Sequence, residues 1–117
     1  LRTELPEGAK WVFPIGLGGH VDHQAVVQAG VHIGGVDAYY ADYPYVLNHF
    51  DDPTFQGASC QGIPHPLGED ALEAWQSAVL CYKSQLSSFW QDAAETRLAL
   101  RNYLAGGGGR LWKWQIV

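Results

Sequence analysis

The stretch Pro14-Ile15-Gly16-Leu17-Gly18-Gly19-His20-Val21-Asp22-His23 holds the transition on which the chain is organised. Trp11-Val12-Phe13 runs into Pro14-Ile15 as a short apolar segment bounded by Gly16, the pattern of a buried strand. Pro14 has no amide hydrogen to give to a ladder, so it belongs at the strand's end or on a non-bonding side. Beyond the glycines, Val21, Ala25, Val26 and Ala29 fall at helical spacing, which predicts a short helix from His20 to Ala29 with Gly30 as its stop. Val36 to Tyr43 is rich in β-branched and aromatic residues and predicts a second strand, ending at Tyr43-Pro44-Tyr45. Strand, helix and strand in that order form the pattern of a parallel α/β unit.

Further along, Pro53, Gly57, Gly62, Pro64 and Pro66 predict an irregular surface loop from Asn48 to Pro66. Leu72, Trp75, Ala78, Val79, Tyr82 and Leu86 have helical period, with Glu69 and Asp70 where a helix N-terminus favours negative charge. A second helical pattern, Phe89, Trp90, Ala93, Ala94, Leu98 and Leu104, ends at the run Gly106 to Gly109; the two form either one broken helix or a pair. Trp75, Tyr82, Phe89 and Trp90 are expected in a core or an interface. Leu111 to Val117 alternates apolar with polar residues and predicts an edge strand or a packed tail. No internal repeat occurs, and residues 1–117 are expected to form one domain.

At 117 residues with 47% hydrophobic and 16% charged side chains, the chain can build a core and is not of a disordered type. Twelve acids against seven bases give a net charge of -5, which lacks the basic footprint that nucleic acid requires. No apolar run approaches the roughly 20 residues of a membrane-spanning helix, so neither nucleic acid nor membrane is expected as a partner, and the expected location is cytoplasmic. Cys60 and Cys81, neither closely spaced nor part of a dense framework, read as free thiols of a reducing compartment. The chain contains no methionine and opens at Leu1, as expected of a chain that is processed, tag-trimmed, cloned from an incomplete gene or cut out of something longer.

His20 and His23 stand three apart around Asp22 at the start of a predicted helix, so both imidazoles can address one object. Neutral imidazole is the commonest zinc ligand, and a carboxylate such as Asp22 can hold one ring in a defined tautomer. Chance pairing among five histidines, with glycines that merely cap a strand, accounts for the bare spacing as well. Gly16 and Gly18 are followed by Val21 where a dinucleotide fingerprint needs its third glycine, which sets nucleotide binding aside. Tyr39, Tyr40, Tyr43 and Tyr45 cluster around Asp42, either as strand packing or as a rim facing a sugar. His32 reads as an ordinary surface or half-buried histidine.

PIGLGGHVDH, followed in order by YYADYPY and AVLCYKSQ, resembles the C-terminal half of the PIG-L/LmbE-like family of zinc-dependent de-N-acetylases, and the matches spread over most of the chain. The resemblance implies an α/β fold, a Rossmann-like three-layer parallel sheet present in part, and hydrolysis of N-acetyl groups on amino sugars or sugar conjugates. It implies His23 as the ligand to Zn2+, His20 as the group that stabilises the oxyanion or protonates the leaving amine, and Asp22 as the carboxylate that tunes His20. The activity it implies is hydrolysis of the acetyl amide by water activated on zinc. The family's other signature, His-Pro-Asp-Asp, supplies the remaining ligands and the general base, and nothing before Pro14 matches it. His49-Phe50-Asp51-Asp52 and His65-Pro66 imitate fragments of it in the wrong chain order.

The expected partners are therefore an N-acetylated sugar conjugate and a missing N-terminal half or second chain, with the isolated chain inactive. Self-association into a homo-oligomer would cover the sheet edges and apolar helix face that half a fold exposes. The alternative is a non-catalytic oligomeric or binding module on a truncated deacetylase fold.

Overall fold

In the computed structural model, residues 4–53 and 60–114 are described. Among them the strands are β1 (Val12–Pro14), β2 (Ala38–Tyr40), β3 (Cys60–Pro64) and β4 (Arg110–Trp114). The helices are α1 (Val21–Ile33), α2 (Glu69–Leu80), the single turn α3 (Lys83–Leu86) and α4 (Ala93–Ala105). Packing divides the chain into two units, residues 1–63 with 111–117, and residues 64–110.

The first unit carries the sheet, in the order β1-β2-β4-β3. β1 and β2 run parallel, with Val12 opposite Ala38, Phe13 opposite Tyr39 and Pro14 opposite Tyr40, and α1 lies between them in sequence, as the opening pattern predicts. β1 is an edge strand, which is where a proline costs the ladder least. The sheet is mixed and not parallel throughout: β4 pairs antiparallel with β2, Tyr39 facing Trp112 and Tyr40 facing Leu111. The class is α/β with a four-stranded mixed sheet.

Several boundaries differ from expectation: β2 covers only Ala38–Tyr40 of the stretch Val36 to Tyr43, and the differences that follow each have a local physical reason. α1 continues through Gly30 to Ile33 and stops at Gly34, whose amide returns to the Gly30 carbonyl. Gly30 is not a stop but a packing site: a Cβ there would lie 2.7 Å from Cδ1 of Phe13, so the missing side chain lets α1 settle on β1. Residues 60–64 form a strand inside the expected loop, where Gly62 lies beneath the ring of Trp112; Gly57 falls outside the described residues. Residues 111–114 belong to an interior strand between β2 and β3, not to an edge; residues 115–117 lie outside the described residues.

The direction of α1 is also inverted relative to its apolar pattern. Val21, Ala25, Val26 and Ala29 are all exposed, Val21 by 73%, whereas the less exposed line is His23, Val27 and Gly30. The helical period is correct, but its inward side carries a histidine and a glycine.

The second unit pairs α2 with α4, so the two helical patterns form a pair, with Leu72 and Leu100 buried. α4 begins at Asp92, whose carboxylate accepts from the Glu95 amide at 2.8 Å while Glu95 reaches back to the amide of Gln91, a variant of the reciprocal helix cap. Phe89 and Trp90 therefore precede the helix. Tyr82 and Phe89 are exposed in this chain and take no part in its core, whereas Trp75 and Trp90 are half-buried. Buried Gln76 is satisfied by donating to the Arg97 carbonyl at 2.8 Å and accepting from the Arg97 guanidinium at 3.2 Å. Arg101 holds Glu69 through two bonds of 2.8 and 2.9 Å, and that hydrogen bonding, with the guanidinium charge, draws the carboxyl below its ordinary range.

Gly30→Ala tests the docking of α1. Overpacking against Phe13 costs about 1–3 kcal/mol and the gain in helix propensity returns about 1 kcal/mol, so a net loss on the order of 1 kcal/mol is expected as a lower urea midpoint.

Candidate functional site

The parallel register places two chain exits side by side. Pro14 stands opposite Tyr40, so Gly16 and Asp42, each two residues further on, leave their strands together. Asp42 uses this proximity: its Oδ2 accepts from the amides of Gly16 at 2.7 Å and Leu17 at 3.0 Å, and its side chain is 0% exposed. Ligand sites in open α/β sheets form at this position, beyond the carboxyl ends of parallel strands.

The turn Leu17–Gly19 then feeds α1, and the inward line of that helix begins with His23. His23 Nδ1 lies 2.9 Å from Asp42 Oδ1. The two atoms are at ion-pair distance but off the line of a linear hydrogen bond, and neither is hydrogen-bonded elsewhere. The amides and the imidazole together offset the cost of removing a carboxylate from water. Nδ1 is buried although the side chain as a whole is 30% exposed, and Nε2 is the nitrogen that Asp42 does not engage.

His20 caps α1. Its backbone is extended, and its Nδ1 accepts from the Asp22 amide at 3.3 Å. The rings of His20 and His23 are 5.3 Å apart, and Tyr45 packs against both, at 5.9 Å from His20 and edge-on at 5.3 Å from His23. Tyr45 follows a bend with a cis bond between Tyr43 and Pro44 and opens the turn Tyr45–Asn48. It reaches the histidines because Gly18, at a φ of 78°, presents no side chain: a Cβ there would sit 2.9 Å from Cδ1 of Tyr45.

The structure thus brings His20 and His23 together, and it turns Asp22 outward. The Asp22 carboxylate is 82% exposed and 3.9 Å from His20 Nδ1, beyond hydrogen-bond range and screened by water. The carboxylate at an imidazole is Asp42, which the sequence marks only as the centre of a tyrosine cluster. Its signal was available in register: an acid two residues past the second strand of a parallel pair meets the backbone two residues past the first. Tyr40, 45% exposed, holds its proton above the ordinary value of 10.0, through partial burial first and the Asp42 charge second. His32 is exposed.

Among the described residues, no group of three or more His, Cys, Asp or Glu side chains is arranged to share a metal ion. Cys60 is half-buried, which pushes its thiol up, and Cys81 is exposed; both are free. No helix of the described residues is long and apolar enough to cross a membrane. The chain matches no protein-family model, no curated protein and no solved structure.

Two outcomes follow from this geometry. Asp42→Ala strips two amides and an imidazole of their shared acceptor, and a loss on the order of 3 kcal/mol is expected in chemical denaturation. The raised Tyr40 group favours the folded state below about pH 10, and that contribution fades as pH rises through the folded value; Tyr40→Phe is expected to flatten the alkaline decline seen in stability measured against pH.

Proposed function

We propose that these residues form the C-terminal half of a zinc-dependent de-N-acetylase of the PIG-L/LmbE type, on part of a Rossmann-like fold, acting on N-acetylated amino sugars or sugar conjugates in the cytoplasm. The observation that carries this reading is the buried Asp42 carboxylate behind His23, at the exit of two parallel strands. Metal-ligating histidines characteristically turn their second nitrogen to such a carboxylate.

His23 fits one ligand position: Nδ1 faces an acceptor and Nε2 is left for a cation. Catalytic zinc takes three protein ligands, so the remaining donors belong to a segment outside these residues. Zinc, when bound, supplies Lewis-acid polarisation and an activated water. The chain's own residues do the rest. His20, its ring 5.3 Å from that of His23, would stabilise the oxyanion of the acetyl carbonyl or protonate the leaving amine. Tyr45 packs against both rings. Asp22 contributes only a solvent-screened negative charge near His20. The unpaired thiols of Cys60 and Cys81 support a reducing setting.

A second reading, a non-catalytic oligomeric or binding module, is favoured by the apolar residues that α1 shows to solvent, Val21 at 73% and Val31 at 70%. Light scattering and metal analysis separate the two.

The decisive experiment supplies a front half bearing His-Pro-Asp-Asp. The chain alone is expected to hold no stoichiometric zinc and to release no acetate from an N-acetylglucosamine conjugate; the pair is expected to do both. His20→Ala in the pair is expected to lose about 100-fold or more in kcat. Tight zinc and amidase activity in the lone chain would refute the divided site, and a metal-free homo-oligomer that no front half activates would favour the module.

A further inference from the structure

We propose that Asp42 is a positioning residue that fixes His23 as its Nδ1–H tautomer, while the backbone amide of Asp22 fixes His20 as the opposite, Nε2–H tautomer. Two neighbouring imidazoles then present different groups: a bare Nε2 lone pair from His23 and an Nε2–H donor from His20. The use of these groups for zinc and for an acetyl amide rests on the function proposed above; the tautomers themselves do not.

An ionised carboxylate only accepts, and Oδ2 of Asp42 is already taken by the amides of Gly16 and Leu17. Oδ1 faces His23 Nδ1 at 2.9 Å, at ion-pair distance but off the line of a linear hydrogen bond, and both atoms are buried and make no hydrogen bond. A bare Nδ1 would set two lone pairs against each other out of reach of water, so the ring's proton belongs on Nδ1 and Nε2 is left bare. His20 meets the reverse condition. Its Nδ1 accepts from the Asp22 amide, a donor that cannot be removed, so in the neutral ring the proton belongs on Nε2.

The fold enforces both assignments. Asp42 cannot swing away without abandoning two amides in the turn that leads into α1, and His20 is tied to that helix as its cap. One carboxylate therefore joins the parallel strand pair to the orientation of a ring on the following helix. The sequence pattern His-x-x-His treats the two histidines alike, whereas their surroundings make one a ligand for a Lewis acid and the other a hydrogen-bond donor.

The test is long-range proton–nitrogen correlation NMR on the histidine-labelled chain, at a pH about two units above the ordinary imidazole value near 6.5, with His20→Gln and His23→Gln for assignment. His23 is expected with its proton on Nδ1, the minor form of an imidazole in water, and His20 with its proton on Nε2. Asp42→Asn keeps an oxygen for the amides and turns an NH2 group toward Nδ1, so His23 is expected to change to the Nε2–H form. In the pair with the front half, that variant is expected to bind zinc 10–100-fold more weakly, on the order typical for loss of a ligand's supporting carboxylate.

His23 found as Nε2–H in the unsubstituted chain overturns the proposal, whether or not Asp42→Asn folds, as does an unchanged tautomer in a folded Asp42→Asn chain. Zinc binding and deacetylation with the wrong tautomer would remove only the positioning role. The expected tautomers without zinc or deacetylation in any pairing would uphold it and remove only the hydrolase reading.

Discussion

A single buried carboxylate organises the first unit. A buried carboxylate needs polar groups around it, and those at Asp42 come from three places: Gly16 just before the turn, Leu17 at the start of the turn, and His23 on the helix that follows. Each depends on the parallel register of β1 and β2. A shift of one residue would part Asp42 from the amide of Gly16 and reverse the faces of the strand residues, so the same interaction that positions His23 also specifies the pairing. Stability and site geometry are therefore one problem here, and a substitution at Asp42 must be judged on both.

The inward side of α1 shows what that arrangement demands. A helix docked for burial alone would place Val21, Ala25, Val26 and Ala29 against the sheet. This one gives its inward line to His23, Val27 and Gly30 and leaves valines in solvent. Gly30 allows the close approach of the helix to Phe13 on β1. Burial is given up along the helix to bring an imidazole to a carboxylate, a local departure from hydrophobic patterning of the kind found at functional sites.

The glycines of the opening motif have separable tasks that their sequence does not distinguish. Gly16 donates its amide to Asp42, and Gly18 leaves room for Tyr45 beside the two histidines. In the second unit the buried polar residues follow a plainer logic: Gln76 pairs with Arg97, and Thr96 donates its hydroxyl to the Asp92 carbonyl, so each polar group is answered nearby.

Local chemistry alone determined the β1-α1-β2 order, the two later helices, and the nearness of His20 to His23, because strand alternation, helical period and three-residue spacing act over a few neighbours. It did not reveal that Gly30 is a packing site, that residues 60–64 are a strand, or that 111–114 sit inside the sheet. Those outcomes depend on Phe13, on Trp112 and on the antiparallel pairing with β2, partners distant in the chain. Asp42 is the clearest case. Its residue type and its place after a strand are visible in the sequence, but its partnership with an imidazole 19 positions earlier exists only once parallel pairing has set two strand exits side by side.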